Sequence, residues 1–496
     1  MIDKQTAGKR NLPFRILDKS INGLFGFIIC CIIIVNLVSF FLIGFSYGMA
    51  ILFGTLLFAA AGFVLIKTKL YRNKRFWLIV FILGVVARLL YGFFNQVELE
   101  SDMLYCYNAA VSTTQGDLSW LSEPYFHLHY PYQIPFVYYE ALILTVFRTV
   151  RALYVFDALW SVLMCLLIYK ITERISKNLL IALILASAYT WLPSSLLKIG
   201  NLYNFSVSGV LLLAGVYCFI LAIERVKEAR GFLRMGLLLS LASGILISIS
   251  CLFRQEGSIV LIAGVCYYIY FLLSYKKKSE HDLKNQFTVH ILNGIISMAV
   301  LILSFLLVNN VAEMIFRANG IESIGMGGAA YWQIVCGMTP DEYGQYCPKY
   351  HWICDIADPA DQKLAFEKIM GEIFSGRSPL DVLRFFVQKI YHMWGVPDSG
   401  FGIGFESFFE RVFTVACLAL DKALYLLFLG LSLLGVKYKD DNMYHEKAFL
   451  TIGFIGFFLA YMIKEAGTRY RYDPILMLVL LSVFGLMVIN KKKKVF

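Results

Sequence analysis

The sequence is short of charge. Asp, Glu, Lys and Arg supply only 16% of its 496 residues, against roughly 25% in an ordinary soluble domain. With 59% hydrophobic residues and a mean hydropathy of +0.68, that shortage excludes a soluble globular protein and points to an all-α polytopic membrane protein. A transmembrane β-barrel would need short segments of alternating polarity, and these are absent too. No C-x-x-C pair exists, so no thiolate zinc site is indicated. There is no P-loop and no G-x-G-x-x-G, so nothing marks a nucleotide cradle. No clear internal repeat is visible. No cleavable signal peptide is expected, because the first apolar run, 21–43, is too long for an h-region and lacks a clear small-residue cleavage site. It reads as a retained helix behind a cytoplasmic N-terminus.

What the chain does have is about twelve apolar stretches of helix length, near 22–43, 47–66, 76–94, 152–171, 179–197, 202–223, 234–252, 256–273, 288–309, 413–436, 447–463 and 474–490. Runs of about 20 residues span a bilayer. The net charge of +11 and pI near 9.0 would also suit nucleic acid. Its placement argues against that partner, because the cations cluster in short connections at 67–75, 225–234, 276–278 and 491–494. Such loops stay in the cytoplasm and attract anionic headgroups. Twelve spans put both termini there, which suits Lys9, Arg10 and the tail. The organisation read from this is 1–75 as N-terminus and two accessory helices, 76–490 as the membrane domain that carries the motifs, and 491–496 as a basic tail.

Two connections break the pattern, near 95–151 and 310–411. They hold acidic residues, prolines, aromatic clusters and most of the seven histidines, and they face outward together. Within the first, 135–151 is apolar enough to pass for a span. It is short, has Glu140 in its middle and ends in Arg148 and Arg151, so it reads as an interfacial helix. Counting it as a crossing would put the basic loops outside. Within the second, 320–355 is expected to be irregular and 359–394 to form two helices. Ser378 is the expected N-cap of the latter helix, with Pro379 in its first turn. Leu380, Leu383, Phe386, Val387, Ile390, Tyr391 and Trp394 form its apolar stripe. Seven of the eleven cysteines lie in apolar helices; Cys347 and Cys354, both in the outer loop, can equally be a disulfide or two buried thiols.

The chemistry-bearing residues sit at the outer ends of the spans. Asp102 opens the first outer loop and shares helical spacing with Tyr105 and Ala109. Two readings are open: a base for an incoming hydroxyl, or a cap for the helix that follows. Glu100 lies beside it. Arg88 sits inside the third span, where a charge needs a partner or a task. His129 and Tyr130 precede Pro131, and Gln133 follows. Two histidines at i, i+2 (His127 and His129) lack a third metal ligand, so interfacial hydrogen bonding is the plainer reading. Lys198 and Asn201 begin one outer turn, Arg254 and Glu256 occupy another, and Glu465, Arg469, Tyr470 and Arg471 a third. Single arginines of this kind are often interfacial anchors. A ring of cations and amides at the level of Asp102 is what a phosphate leaving group requires.

Together these residues resemble the GT-C superfamily of polytopic glycosyltransferases, such as protein O-mannosyltransferases and aminoarabinose transferases. The likeness covers roughly 76–490. It rests on Asp102 at the head of the first outer loop, on Tyr130-Pro131-Tyr132-Gln133 before an interfacial helix, and on the long second loop. It rests further on Gly327-Gly328, Tyr331-Trp332 and Cys336-Gly337-Met338, similar to Gram-positive members, and on Glu465, Arg469, Tyr470 and Pro474. The chain has one proline where several relatives have two, and no Asp-Glu pair at Asp102, which leaves donor and acceptor open.

The resemblance implies an enzyme of the cell membrane with its active site outside. It would invert configuration while moving a sugar from a polyprenyl-phosphate carrier to a wall polymer, lipid or protein. Asp102 would be the base. Arg254 and Arg469, with Lys198, Arg471 or Arg88, would hold the phosphate, and Glu100, Glu256, Glu465, Tyr470, His129, Tyr130, Gln133 and Asn201 would support them. No cofactor is required; a divalent ion held with help from Glu100 is the lesser alternative. The rivals are a flippase for lipid-linked sugars, an envelope glycan polymerase or ligase, and a scaffold. A transporter would show repeats and helices broken near midplane; a scaffold would tolerate substitution of Asp102, Arg254 and Arg469.

Overall fold

The computed structural model describes residues 12–43, 45–94, 98–227, 233–274, 283–321, 324–398, 408–438 and 444–493. Among these residues there is no strand, and eleven helices are long and apolar enough to cross a membrane, twelve if one bent pair counts as a single span. They match the twelve expected stretches one for one. The first three are α1 (Leu12–Leu42), α2 (Phe45–Lys67) and α3 (Lys74–Phe94). The first long loop follows, carrying α4 (Ser101–Thr114) and α5 (Ile134–Phe147). Then come α6 (Val150–Ser176), the bent pair α7 (Leu179–Thr190) and α8 (Pro193–Leu196), α9 (Phe205–Lys227), α10 (Leu233–Phe253), α11 (Gly257–Ser274) and α12 (Leu283–Ala318). The second long loop holds α13 (Ala329–Met338), α14 (Pro359–Phe374) and α15 (Pro379–Ile390). The last spans are α16 (Phe408–Gly435), α17 (Tyr444–Ile463) and α18 (Tyr472–Lys493). The basic stretches 228–232 and 276–278 lie outside the described residues.

The core gathers around α18, which is buried along most of its length against α16, α17, α6 and α7. Its sequence is apolar on every side, as a central helix requires. The lipid-facing helix α2 instead leaves Phe53, Leu56, Leu57 and Phe63 exposed.

The fifth span is where the structure is more broken than the sequence suggested. Pro193 cannot donate to the ladder, and the two pieces meet at 65°. The break strands the last carbonyls of α7. Arg88, fully buried, satisfies them: its guanidinium donates to the carbonyls of Tyr189 (2.9 Å) and Thr190 (3.0 Å) and to the hydroxyls of Ser161 and Ser195. A cation at a helix C-terminus also complements the macrodipole. The break is therefore closed by protein groups rather than opened to a cavity.

α5 runs from Ile134 to Phe147 and stops where Arg148 turns left-handed (φ 50°). Thr149 then caps α6, so Arg151 belongs to the next span rather than to the interfacial helix. At 14 residues α5 is too short to cross. Glu140 is buried, while Leu142 and Val146, one turn apart, face outward.

In the second loop, α12 continues to Ala318, so the loop starts later than 310. The expected irregular stretch contains α13. Ala329, Trp332, Val335 and Cys336 are its buried face, a helical repeat that the glycines before it disguise. Trp332, Val335 and Cys336, with Cys347, Ile353, Cys354, Ile369 and Ile373, form a small core separate from the membrane bundle. Cys347 and Cys354 are buried in it as free thiols. Ser378 caps α15 with a full capping box to Asp381. The stripe holds only in part: Leu380, Leu383 and Val387 are exposed on one side, but Trp394 is fully buried because the turn 391–395 widens to a π-helical one. The residues that α15 buries instead are Phe385 and a charged one, Lys389.

Candidate active site

Five connections between spans, at the same end of the bundle, meet in one cleft of about 610 Å³ of open space, part of it continuous with the outside. α4 brings Asp102; the turn before α5 brings Tyr132 and Gln133; the α10–α11 turn brings Arg254, Gln255 and Glu256; the turn before α18 brings Lys464, Arg469 and Tyr470. Tyr203, Asn204 and Gln333 complete the polar wall. Between Asp102 and Arg254 the chain crosses four times if α5 does not cross, and five if it does. Only the even count lets them share a cleft, so the non-crossing reading of α5 is the one the fold requires.

Asp102 is inside α4, not its cap. The N-cap is Glu100, whose exposed side chain makes no capping bond, and the intervening Ser101 sits at φ +51°. A non-glycine residue held left-handed costs energy that the surroundings must supply, and such sites concentrate where function is. The Tyr125 hydroxyl donates to Asp102 Oδ1 at 2.9 Å, with its ring stacked on Tyr105 at 4.6 Å. The other carboxylate oxygen has no partner among the described residues.

Arg254 is the buried cation. Its Nη2 lies 3.2 Å from Glu256 and its Nε 3.4 Å from Asp473, and its guanidinium rests 4.1 Å above the Phe205 ring. Burial pushes the Glu256 carboxyl up, but Arg254 and Lys464 outweigh this and hold it below its ordinary value. Arg469 is more open. It reaches Glu465 at 3.4 Å and the Tyr470 hydroxyl at 3.1 Å, and that hydroxyl donates to Glu465 at 3.0 Å. Lys464, which the motif reading passed over, lines the cleft with no ion-pair partner among the described residues. Three cations, two carboxylates and the amides of Gln133, Gln255 and Gln333 thus share one volume.

The other expected site residues stand behind this wall. Lys198 is paired with Asp398 at 3.5 Å and donates to the Arg469 carbonyl at 3.1 Å. Arg471 turns away to the carbonyls of Thr468 and Trp394. Both brace the Arg469 turn instead of lining the cleft. Arg88 serves the α7 break. Asn201 donates its backbone N–H to Lys198 in the bend before α9. His129 meets Asp355 at 2.7 Å, and the Tyr130 hydroxyl meets His351 Nε2 at 2.9 Å. These two contacts dock the second loop on the first. Among the described residues no group of three or more His, Cys, Asp or Glu is placed to hold a metal ion.

The second loop is also stitched to the Lys464 turn. Glu465 and Ala466 donate backbone N–H groups to the carbonyls of Gln333 and Gly344, both at 2.8 Å. Gly337 packs so closely that a Cβ there would sit 2.2 Å from the Ile463 carbonyl oxygen. That contact is with backbone, which cannot swing aside. Gly337→Ala is expected to lift α13 off the turn, at a cost of about 1–3 kcal/mol or more for the overpacking. Faster limited proteolysis within 324–398, together with lost turnover, would show it; unchanged cleavage would refute it.

Lys389 ties the same region. Its ammonium reaches the carbonyls of Gly337, Met462 (3.0 Å) and Lys464 (2.8 Å), joining α13, the end of α17 and the turn. Burial pushes it down to about 7, against the upward pull of Glu465 and Cys336. The folded value lies below the free-lysine value of 10.5. Between the two the unfolded chain holds the proton that the folded one has lost, so this group adds stability as pH rises from about 7 to 10. Wild type is expected to gain melting temperature over that range relative to Lys389→Met; parallel curves would show that Lys389 does not titrate there.

No family model matches the chain, and no curated protein matches it. Among solved structures, the archaeal oligosaccharyltransferase AglB from Archaeoglobus fulgidus, in complex with an inhibitory peptide and a dolichol-phosphate, is similar with a TM-score of 0.43 and 16% identity, over 84% of this chain and 50% of that one. The oligosaccharyltransferase of the same organism in its apo form gives 0.42 and 15%, over 84% and 51%. The chain spans about half the length of the solved structures it matches. A likeness that loose transfers no chemistry from those proteins to this one.

Proposed function

We propose that this chain is an inverting membrane glycosyltransferase of the GT-C type. It moves a sugar from a polyprenyl-phosphate carrier to an extracytoplasmic acceptor, which is a cell-wall polymer, a lipid or a protein. One observation carries this reading: a half-buried carboxylate with an unpartnered oxygen, Asp102, shares a cleft with Arg254, Lys464 and Arg469. The prenyl chain stays dissolved in the bilayer while its phosphate enters at the membrane surface.

In the reaction the acceptor oxygen attacks the anomeric carbon. Asp102 takes the hydroxyl proton, and the glycosyl–phosphate bond breaks with its electron pair leaving on the phosphate. The added negative charge falls among the three cations and the cleft amides, where fixed donors outperform water. A single displacement inverts configuration and needs one carboxylate, unlike the paired carboxylates of retaining hydrolases. Tyr125 orients Asp102; Lys198 and Arg471 hold the Arg469 turn in place. The protein supplies the positive charge, so the scheme calls for no metal ion.

The test is mass spectrometry of envelope glycans from a deletion strain, complemented either with wild type or with Asp102→Asn at matched protein level. A sugar lost on deletion and restored only by wild type supports the reading and names the substituent. Full restoration by Asp102→Asn removes it.

A further inference from the structure

The membrane face opposite the cleft carries a second concave feature. α3 begins at Lys74 and ends at Phe94, shortly before Asp102, so its first residues lie a full span away from the cleft. There α3, α6 and α7 diverge around a groove of about 670 Å³ of open space. Its walls are almost wholly apolar, formed by Leu78, Phe81, Leu166 and Leu183, and its mouth is set by Lys74 and Arg75. Trp77, whose indole N–H donates to the Tyr71 carbonyl at 2.9 Å, marks the level of the membrane–water boundary, where tryptophan gathers.

Charge separates this mouth from the end of α6 beside it; Lys69, Arg72 and Lys177 on the same face also have no carboxylate partner among the described residues, but none of them lines the groove. On the same face Lys170 is paired with Glu173 at 3.2 Å and Arg174 with Glu224. Lys74 and Arg75 have no carboxylate partner among the described residues. Two adjacent unpaired cations at headgroup depth, above a groove sized for a chain, are complementary to one amphiphile. We infer that this groove binds an anionic phospholipid of its own leaflet, with the phosphate at Lys74 and Arg75 and an acyl chain along Leu78, Phe81, Leu166 and Leu183. The energetics assign separate tasks to the two parts. An acyl chain leaving the bilayer for the groove gains no hydrophobic energy, because lipid is as apolar as leucine. The groove therefore fixes position, and the preference for this lipid over others comes from the two cations.

This inference does not depend on the glycosyltransferase reading, and its test does not use turnover. The full chain in detergent is titrated with phosphatidylglycerol or phosphatidylcholine and read by native mass spectrometry. Wild type is expected to bind the first phosphatidylglycerol about thirtyfold more tightly than phosphatidylcholine, from about 1 kcal/mol for each cation. Lys74→Gln/Arg75→Gln is expected to bring the ratio to about one. Leu183→Trp, which fills the groove and leaves both cations, is expected to abolish the tight site. Unchanged circular dichroism in both variants shows that the fold is intact. Equal affinity of wild type for the two lipids, or a preference that survives the double substitution, would overturn the inference.

Discussion

Asp102→Asn is expected to lower turnover by about 10²- to 10⁴-fold while leaving donor KM near the wild-type value. The substitution is isosteric. Its amide oxygen can still accept the Tyr125 hydroxyl, now 2.9 Å from Asp102. Asp102 lies in the first turn of α4, so the lost charge costs only about 0.3–1 kcal/mol of helix-dipole interaction. The fold then survives, and on the proposed mechanism what disappears is the basicity that takes the acceptor's proton. A variant that keeps its rate would mean that Asp102 only helps to build α4.

The sequence announced this carboxylate through topology rather than through a motif. Hydropathy placed the spans, the distribution of lysine and arginine placed the loops, and Asp102, Arg254 and Arg469 fell at one face. What it could not supply was partnership. Arg88, Lys198 and Arg471 read as candidate phosphate ligands, yet their guanidinium and ammonium groups are taken by helix-end carbonyls and by Asp398, all remote in the chain. Lys464 and Gln333 were missed for the converse reason. They reach the cleft because the second loop docks on the Lys464 turn through backbone hydrogen bonds, and backbone pairing leaves no side-chain signature. Lys389 hid in an amphipathic helix, where a lysine is ordinarily read as solvated. Its burial against three carbonyls was visible only once α13 and α17 converged.

The two cleft arginines should fail in different ways when each is changed to glutamine. Arg254 is buried between Glu256 and Asp473, both also buried, and stacks on Phe205. Removing it strands two carboxylates in a low-dielectric setting, and breaking a buried pair from one side costs about 3–5 kcal/mol. Arg254→Gln should therefore lose melting temperature and yield as well as activity. Arg469 is 43% exposed along its side chain, with Glu465 at 3.4 Å. Glu465 is buried but keeps the Tyr470 hydroxyl at 3.0 Å when Arg469 is removed, so Arg469→Gln should lose less stability than Arg254→Gln, which strands two carboxylates. The turnover of Arg469→Gln should nonetheless fall by about 10²- to 10³-fold, the usual loss when one preorganised donor to a developing anion is removed. Lysine at 469 should recover only part of this, because a point charge does not reproduce the planar fork of a guanidinium on a phosphate. Scanning fluorimetry and initial rates on the same preparations separate the two effects. A stable, active Arg469→Gln protein would show that this arginine is an interfacial anchor, and would leave Arg254 and Lys464 to carry the leaving phosphate.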